Sequence, residues 1–145
     1  MRIDIQVLDK RFYLKKPLLK KFCRRIIKNA WPEDDDILVS VVLADNLFVK
    51  ELNRKYRGKN KPTNVLSFEN EAPMAGDIVI AYGITNDEAR AQHKTFSAHL
   101  AHLLTHGALH LQGYDHITSK QAKKMEKLET ELMQQLGYED PYKGV

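Results

Sequence analysis

The stretch that decides the reading is HGALHLQGYDH, His106 to His116. Histidines stand at its first, fifth and eleventh positions and a glycine at its eighth. Residues four apart share a helix face, so His106 and His110 present two imidazoles one turn apart. Gly113 lets the chain leave the helix in a left-handed conformation, and His116 then closes the site from the far side. This is the ligand spacing of the zinc proteases with the pattern H-E-x-x-H-x-x-G-x-x-H. Three histidines leave the fourth tetrahedral position to water, as in catalytic rather than structural zinc. The second slot, where those proteases keep a glutamate as general base, holds Gly107. The segment predicts one zinc ion per chain without the protease's base.

Outward from this stretch, a helix is expected from Phe96 to about Gln112. Every histidine of the chain lies between His93 and His116. His99 and His102 fall near the ligand face but upstream. They are expected as buried, hydrogen-bonded residues or as supports for the ligands; His93 is given no role. Thr118 with Gln121 forms a capping box for a last helix reaching Leu136, with Gly137 as its stop. Towards the N-terminus, Ile3, Ile5 and Val7 alternate as in a half-buried strand. Pro17 opens a helix whose apolar positions run from Leu18 to Ala30, ended by Pro32 and three aspartates. Ile37 to Leu43 reads as a strand, and Asp45 or Asn46 caps a helix to about Tyr56. Arg57 to Asn64 is a loop by its Gly, Pro and Asn content. Val65 to Phe68 is a short strand, Glu69 to Ala75 an acidic connection, and Asp77 to Tyr82 a strand. Thr85 with Glu88 reads as a capping box opening a short helix. The expectation is one α+β domain over residues 1–145. It has about four strands in a mixed sheet packed with helices, and the metal-binding helix lies near the C-terminal third.

Composition narrows the function classes. The chain has 145 residues, 43% of them hydrophobic, enough for one core. No apolar run approaches the ~20 residues of a membrane span, and the N-terminus has no secretory h-region. Cys23 is the only cysteine, so no intrachain disulfide forms and a reducing, cytoplasmic setting is expected. The net charge is +4 and the sequence pI about 9.1. Nucleic-acid binding requires such charge to be clustered. One cluster, Lys15 to Arg25, reads as the solvated face of a helix. The other, Arg54, Lys55, Arg57, Lys59 and Lys61, lies beside turn residues.

The residue types favour phosphodiester over peptide chemistry. Zinc with an open position lowers the pKa of water to ~7. Peptide cleavage also needs a proton delivered to the amine, and Gly107 cannot deliver it. Phosphodiester cleavage instead accumulates charge on phosphoryl oxygens, which a cation and an arginine stabilise. Arg57 is the candidate, since a guanidinium holds two phosphate oxygens at once. Asp115 either orients a ligand or accepts a proton, or serves as a turn residue. Tyr114 either stacks on a base or packs against the helix. Ser67 at a strand end invites a nucleophile reading that a metal makes unnecessary.

The pattern H-G-x-L-H-L-x-G-Y-D-H resembles the signature of the YbeY family of ribosomal-RNA maturation endoribonucleases, matching at every fixed position. The stretch LNRKYRGKNKPTNVLSF, Gly76-Asp77-Ile78 and the ending LETELMQQLGYEDPY are also similar, so the resemblance covers about residues 40–142. One departure is Glu69, where the family often has proline. The resemblance implies a zincin-like α+β fold and a zinc-dependent, single-strand-specific endoribonuclease. It implies action on the small ribosomal subunit, in 3′-end maturation of its RNA and in ribosome quality control. It also implies His106, His110 and His116 as zinc ligands and Arg57 as the functional arginine. Two rivals are another metal-dependent hydrolase, such as a peptidase with an unrecognised base, and a non-catalytic ribosome-assembly factor with structural zinc.

Overall fold

The apolar alternation at the N-terminus builds strand β1, Arg2–Val7, with Ile3 and Ile5 buried. In the computed structural model, which describes residues 1–33, 36–70 and 74–143, β1 pairs in parallel with β2, Leu38–Ala44. On its other side β2 pairs in parallel with β4, Met74–Ala81. The edge strand β3, Val65–Glu69, runs antiparallel to β4. The order β1-β2-β4-β3 is a mixed four-stranded sheet, and six helices accompany it among the described residues. The fold is α+β, as expected.

The helices are α1 (Arg11–Lys15), α2 (Leu19–Ala30), α3 (Asn46–Arg57), α4 (Tyr82–Ala91), α5 (Phe96–Leu111) and α6 (Ser119–Gln135). One sheet face presents Val39, Val41, Leu43, Ile78 and Ile80 to a core shared with α2, α5 and α6. The other face carries a smaller cluster under α3, formed by Ala44, Val49, Leu66, Val79 and Ala81. Helix α5 is the hub: Leu100, Ala101, Leu104 and Ala108 have no solvent exposure.

Several start signals act as expected. Asp45 accepts from the Phe48 amide at 2.8 Å at the start of α3. Thr118 and Gln121 form the reciprocal capping box of α6. Gly113, at φ +97°, ends α5. Its amide donates to the His110 carbonyl and that of Tyr114 to the Leu109 carbonyl, the two bonds of a Schellman motif.

Other boundaries differ for identifiable reasons. Pro17 lies in the turn before α2, which begins at Leu19 without a side-chain cap. The Thr85–Glu88 capping box does not form. Helix α4 starts at Tyr82, so Thr85 is fully buried and its hydroxyl donates to the Ala81 carbonyl at 2.7 Å. Tyr82, expected to end a strand, instead opens that helix and packs edge-on against Phe12, with ring centroids 5.2 Å apart. The short helix α1 carries that Phe12, which is fully buried. Both ends of the expected acidic connection, Glu69 and Met74-Ala75, are strand. Its middle, residues 71–73, and two of the three aspartates after α2, residues 34 and 35, lie outside the described residues.

Candidate metal centre

His106 and His110 project from the last turns of α5, their Nε2 atoms 3.0 Å apart. The turn at Gly113 brings His116 back, with its ring centroid 4.9 Å from that of His110 and 5.5 Å from that of His106. One ring nitrogen from each histidine lies within 4.8 Å of the other two. Three convergent imidazole nitrogens are a donor set that could hold a metal ion. Burial, and then the neighbouring His106 and His116 rings, lower the pKa of His110. A lowered pKa favours the neutral ring, the form that ligates a metal.

Glu129 on α6 sets the orientation of His106. It is 1% exposed, and its Oε1 bonds to His106 Nδ1 at 2.8 Å and His102 Nε2 at 3.0 Å. The Tyr142 hydroxyl donates to its Oε2 at 2.6 Å. Burial alone would raise the Glu129 pKa, but the hydrogen bonds from His102 and His106 outweigh it and bring the carboxyl down to about 2. An anionic carboxylate on Nδ1 makes that nitrogen the donor and leaves Nε2 as the nitrogen that could ligate a metal. His99 forms a second such pair with Glu88, at 2.9 Å, and Asn64 donates to the same carboxylate oxygen. His99 and His102 are thus hydrogen-bonded residues inside the fold.

Glu129 was missed in the sequence, though a signal exists. It stands four residues from Met125 and four from Met133, both buried. A carboxylate in register with a buried apolar stripe needs a partner.

The fold brings the basic loop to the histidines. Gly58 caps α3 at φ +67°, and the buried Asn53 side chain donates to the Lys61 carbonyl at 2.8 Å, pinning the loop. A cavity of about 670 Å³ is lined by Arg57, Lys59 and Lys61 from this loop, and by His106, His110 and His116 opposite. Arg57 donates to the Ser67 carbonyl of β3 at 2.7 Å and lies over the Phe68 ring at 5.3 Å. Asp115 also lines the cavity, and its Oδ1 accepts from the His116 amide at 2.7 Å. That carboxylate is 3.9 Å from His116 Nδ1. Tyr114 packs against the main core, the second of its two expected roles. Ser67 lines the cavity and offers Arg57 its carbonyl.

The absent protease base has a packing reason. A Cβ at Gly107 would fall 2.9 Å from Ile78 Cγ2 and 3.2 Å from two other atoms of that side chain. Gly107 faces β4 where helix and sheet touch, so a glutamate there would have to push Ile78 aside.

Comparison with known proteins places the chain in a family. The solution structure of a Thermotoga maritima protein, TM1509, is similar at 29% sequence identity and a TM-score of 0.57. The match covers 97% of this chain and 98% of that one. The sequence profile of the endoribonuclease YbeY family matches residues 4–137. With the three-histidine cluster facing a basic loop across one cavity, this chain belongs to the YbeY endoribonuclease family.

Proposed function

We propose that the ion is zinc, one per chain, held by His106, His110 and His116, and that the protein cleaves single-stranded RNA with it. Its substrate in this reading is the 3′ region of the small-subunit ribosomal RNA, during maturation and quality control of that subunit in the cytoplasm. The observation that carries the proposal is the single cavity in which the histidine cluster faces Arg57, Lys59 and Lys61. The donor set fits the ion. Its nitrogens converge, and Glu129 holds the far side of His106. When bound, the ion supplies Lewis-acid polarisation of a phosphoryl oxygen and activates a water near neutral pH.

The chain's own residues do the rest. Arg57 bonds the Ser67 carbonyl through one terminal nitrogen, which fixes the guanidinium at the cavity wall with further N–H groups free to grip the scissile phosphate. Lys59 and Lys61 neutralise flanking phosphates. Asp115 braces the turn that delivers His116, and in this reading it orients that ligand or accepts a proton. Packing of Gly107 on Ile78 keeps the base of the H-E-x-x-H proteases out of that position, so a peptidase would need another base. The test is elemental analysis of purified protein together with cleavage of a defined single-stranded RNA, with and without a chelator. Zinc at one equivalent and chelator-sensitive cleavage support the reading. Tight ribosome binding by a zinc-loaded chain that cuts no RNA supports the assembly-factor alternative.

A further inference from the structure

Edge strand β3 separates two surfaces. On one side Val65, Ser67 and Glu69 line the histidine cavity. On the other, Phe68 packs with the cluster beneath α3 and borders a groove of about 490 Å³, together with Phe48, Leu52 and Tyr56 of that helix. Tyr56 is 59% exposed and Phe48 39%. Tyr56 meets Phe68 edge-on, with centroids 5.7 Å apart. The two surfaces are continuous: Glu69 lines both, and Arg57, a wall of the histidine cavity, lies over the Phe68 ring.

The chemistry of this groove differs from that of the cavity. Its apolar floor ends in Glu69 and in Asp77, whose carboxylate accepts from the Asn70 amide at 3.1 Å. Carboxylates repel phosphate, yet they accept hydrogen bonds from the amino groups of bases. Lys55, an exposed cation, stands 5.2 Å over the Tyr56 ring, so the ledge carries a charge that can meet a phosphate. An aromatic ledge beside a basic track is how single strands are held without sequence reading.

We propose that this groove is a base-stacking subsite. An unpaired nucleobase next to the phosphate gripped by Arg57 crosses the β3 edge and stacks on the exposed Tyr56 ring, which Phe68 braces edge-on. The inference rests on the ribonuclease reading and deepens it. A base must be splayed from its strand to reach the ledge, and duplex pairing prevents that. The preference for single strands then has a physical origin.

The test compares metal-loaded wild type with Tyr56→Ala and Tyr56→Phe, on a single-stranded RNA and on versions carrying one abasic nucleotide at successive positions around the cleaved bond. Tyr56→Ala should raise KM roughly five- to 100-fold, the loss typical of one stacked base, with kcat little changed. Tyr56→Phe should stay near wild type. At one abasic position the wild type should show the same rise, and Tyr56→Ala should add nothing to it. Thermal melts confirm folding of these surface variants. An unchanged KM in Tyr56→Ala, or a loss that adds fully at every abasic position, overturns the subsite while leaving the ribonuclease reading intact. If wild type cuts no RNA, that reading fails on its own, and anisotropy of labelled RNA then decides: binding that needs Tyr56 keeps the subsite, and binding indifferent to it discards the subsite. Capture of an apolar peptide at Tyr56 with RNA affinity unaltered also overturns it.

Discussion

Replacing Gly107 by alanine sets two opposing effects against each other. The residue lies inside α5, where alanine is favoured over glycine by about 1 kcal/mol. The new Cβ would stand 2.9 Å from Ile78 Cγ2, and Cδ1 and Cγ1 of the same side chain lie at 3.2 Å. Ile78 is fully buried on β4, a strand paired on both sides, and has nowhere to swing. Overpacking of this kind costs about 1–3 kcal/mol, so Gly107→Ala should be neutral or destabilising by up to about 2 kcal/mol. In an Ile78→Ala background the crowding is gone, and the same change should stabilise by about 1 kcal/mol. The assay is urea unfolding of the four proteins at equal metal content, with m-values checked for constancy. The expected coupling is about 1–3 kcal/mol. Equal stabilisation by Gly107→Ala in both backgrounds would refute the packing account. Gly107→Glu adds a carboxylate to the same contact and should lose folded protein rather than gain peptidase activity.

Further expectations concern the metal, the basic loop and pH. His110→Ala should lose most of the metal while the fold survives, and Glu129→Gln should weaken metal affinity about 10–100-fold; full occupancy of His110→Ala by elemental analysis would remove it from the ligand set. Arg57→Ala should keep its metal yet cleave saturating RNA about 10²–10³ times more slowly. Lys59→Ala and Lys61→Ala should instead weaken RNA binding and reduce its log–log salt slope by about 0.7 each. Burial lowers the pKa of His99, against the opposing hydrogen bond and charge of Glu88. The unfolded chain then takes up a proton below its ordinary value of about 6.5, where the folded one resists. The stability this contributes is present above that value and is lost as pH falls towards the folded pKa. Between neutral and mildly acidic pH, wild type should lose urea resistance more steeply than His99→Gln. Parallel curves would discard the assignment.

The legible parts of this chain are those whose cause is local. The three histidines and Gly113 sit in one short stretch, so helix periodicity alone places their side chains together. Asp45, Thr118 and Gln121 act on their own helix ends and were equally readable. Thr85 was misread because a threonine three residues before a glutamate looks the same whether it opens a helix or hides within one. Burial settled the matter, and burial is tertiary. Helix α1 exists because Phe12 fills a gap beside Tyr82 and Phe96, which no pattern in five residues announces. The approach of Arg57 to the histidines depends on β3 lying at the sheet edge beside α5. Glu129 reaches His106 only once α6 has folded back on α5.

Locality also shapes how metal binding couples to folding. All three histidines belong to eleven consecutive residues, so the unfolded chain retains them as a loose chelator. Metals that bind both states stabilise only by the difference in affinity. That difference comes from the ordering of α5 and its Gly113 turn, and from groups outside the stretch, among them Glu129 and, through it, Tyr142. Adding zinc should therefore raise the melting temperature by less than its affinity for the native protein implies. Glu129→Gln should reduce the metal-induced rise in melting temperature, because it removes part of what the folded state adds to a site the sequence already half assembles.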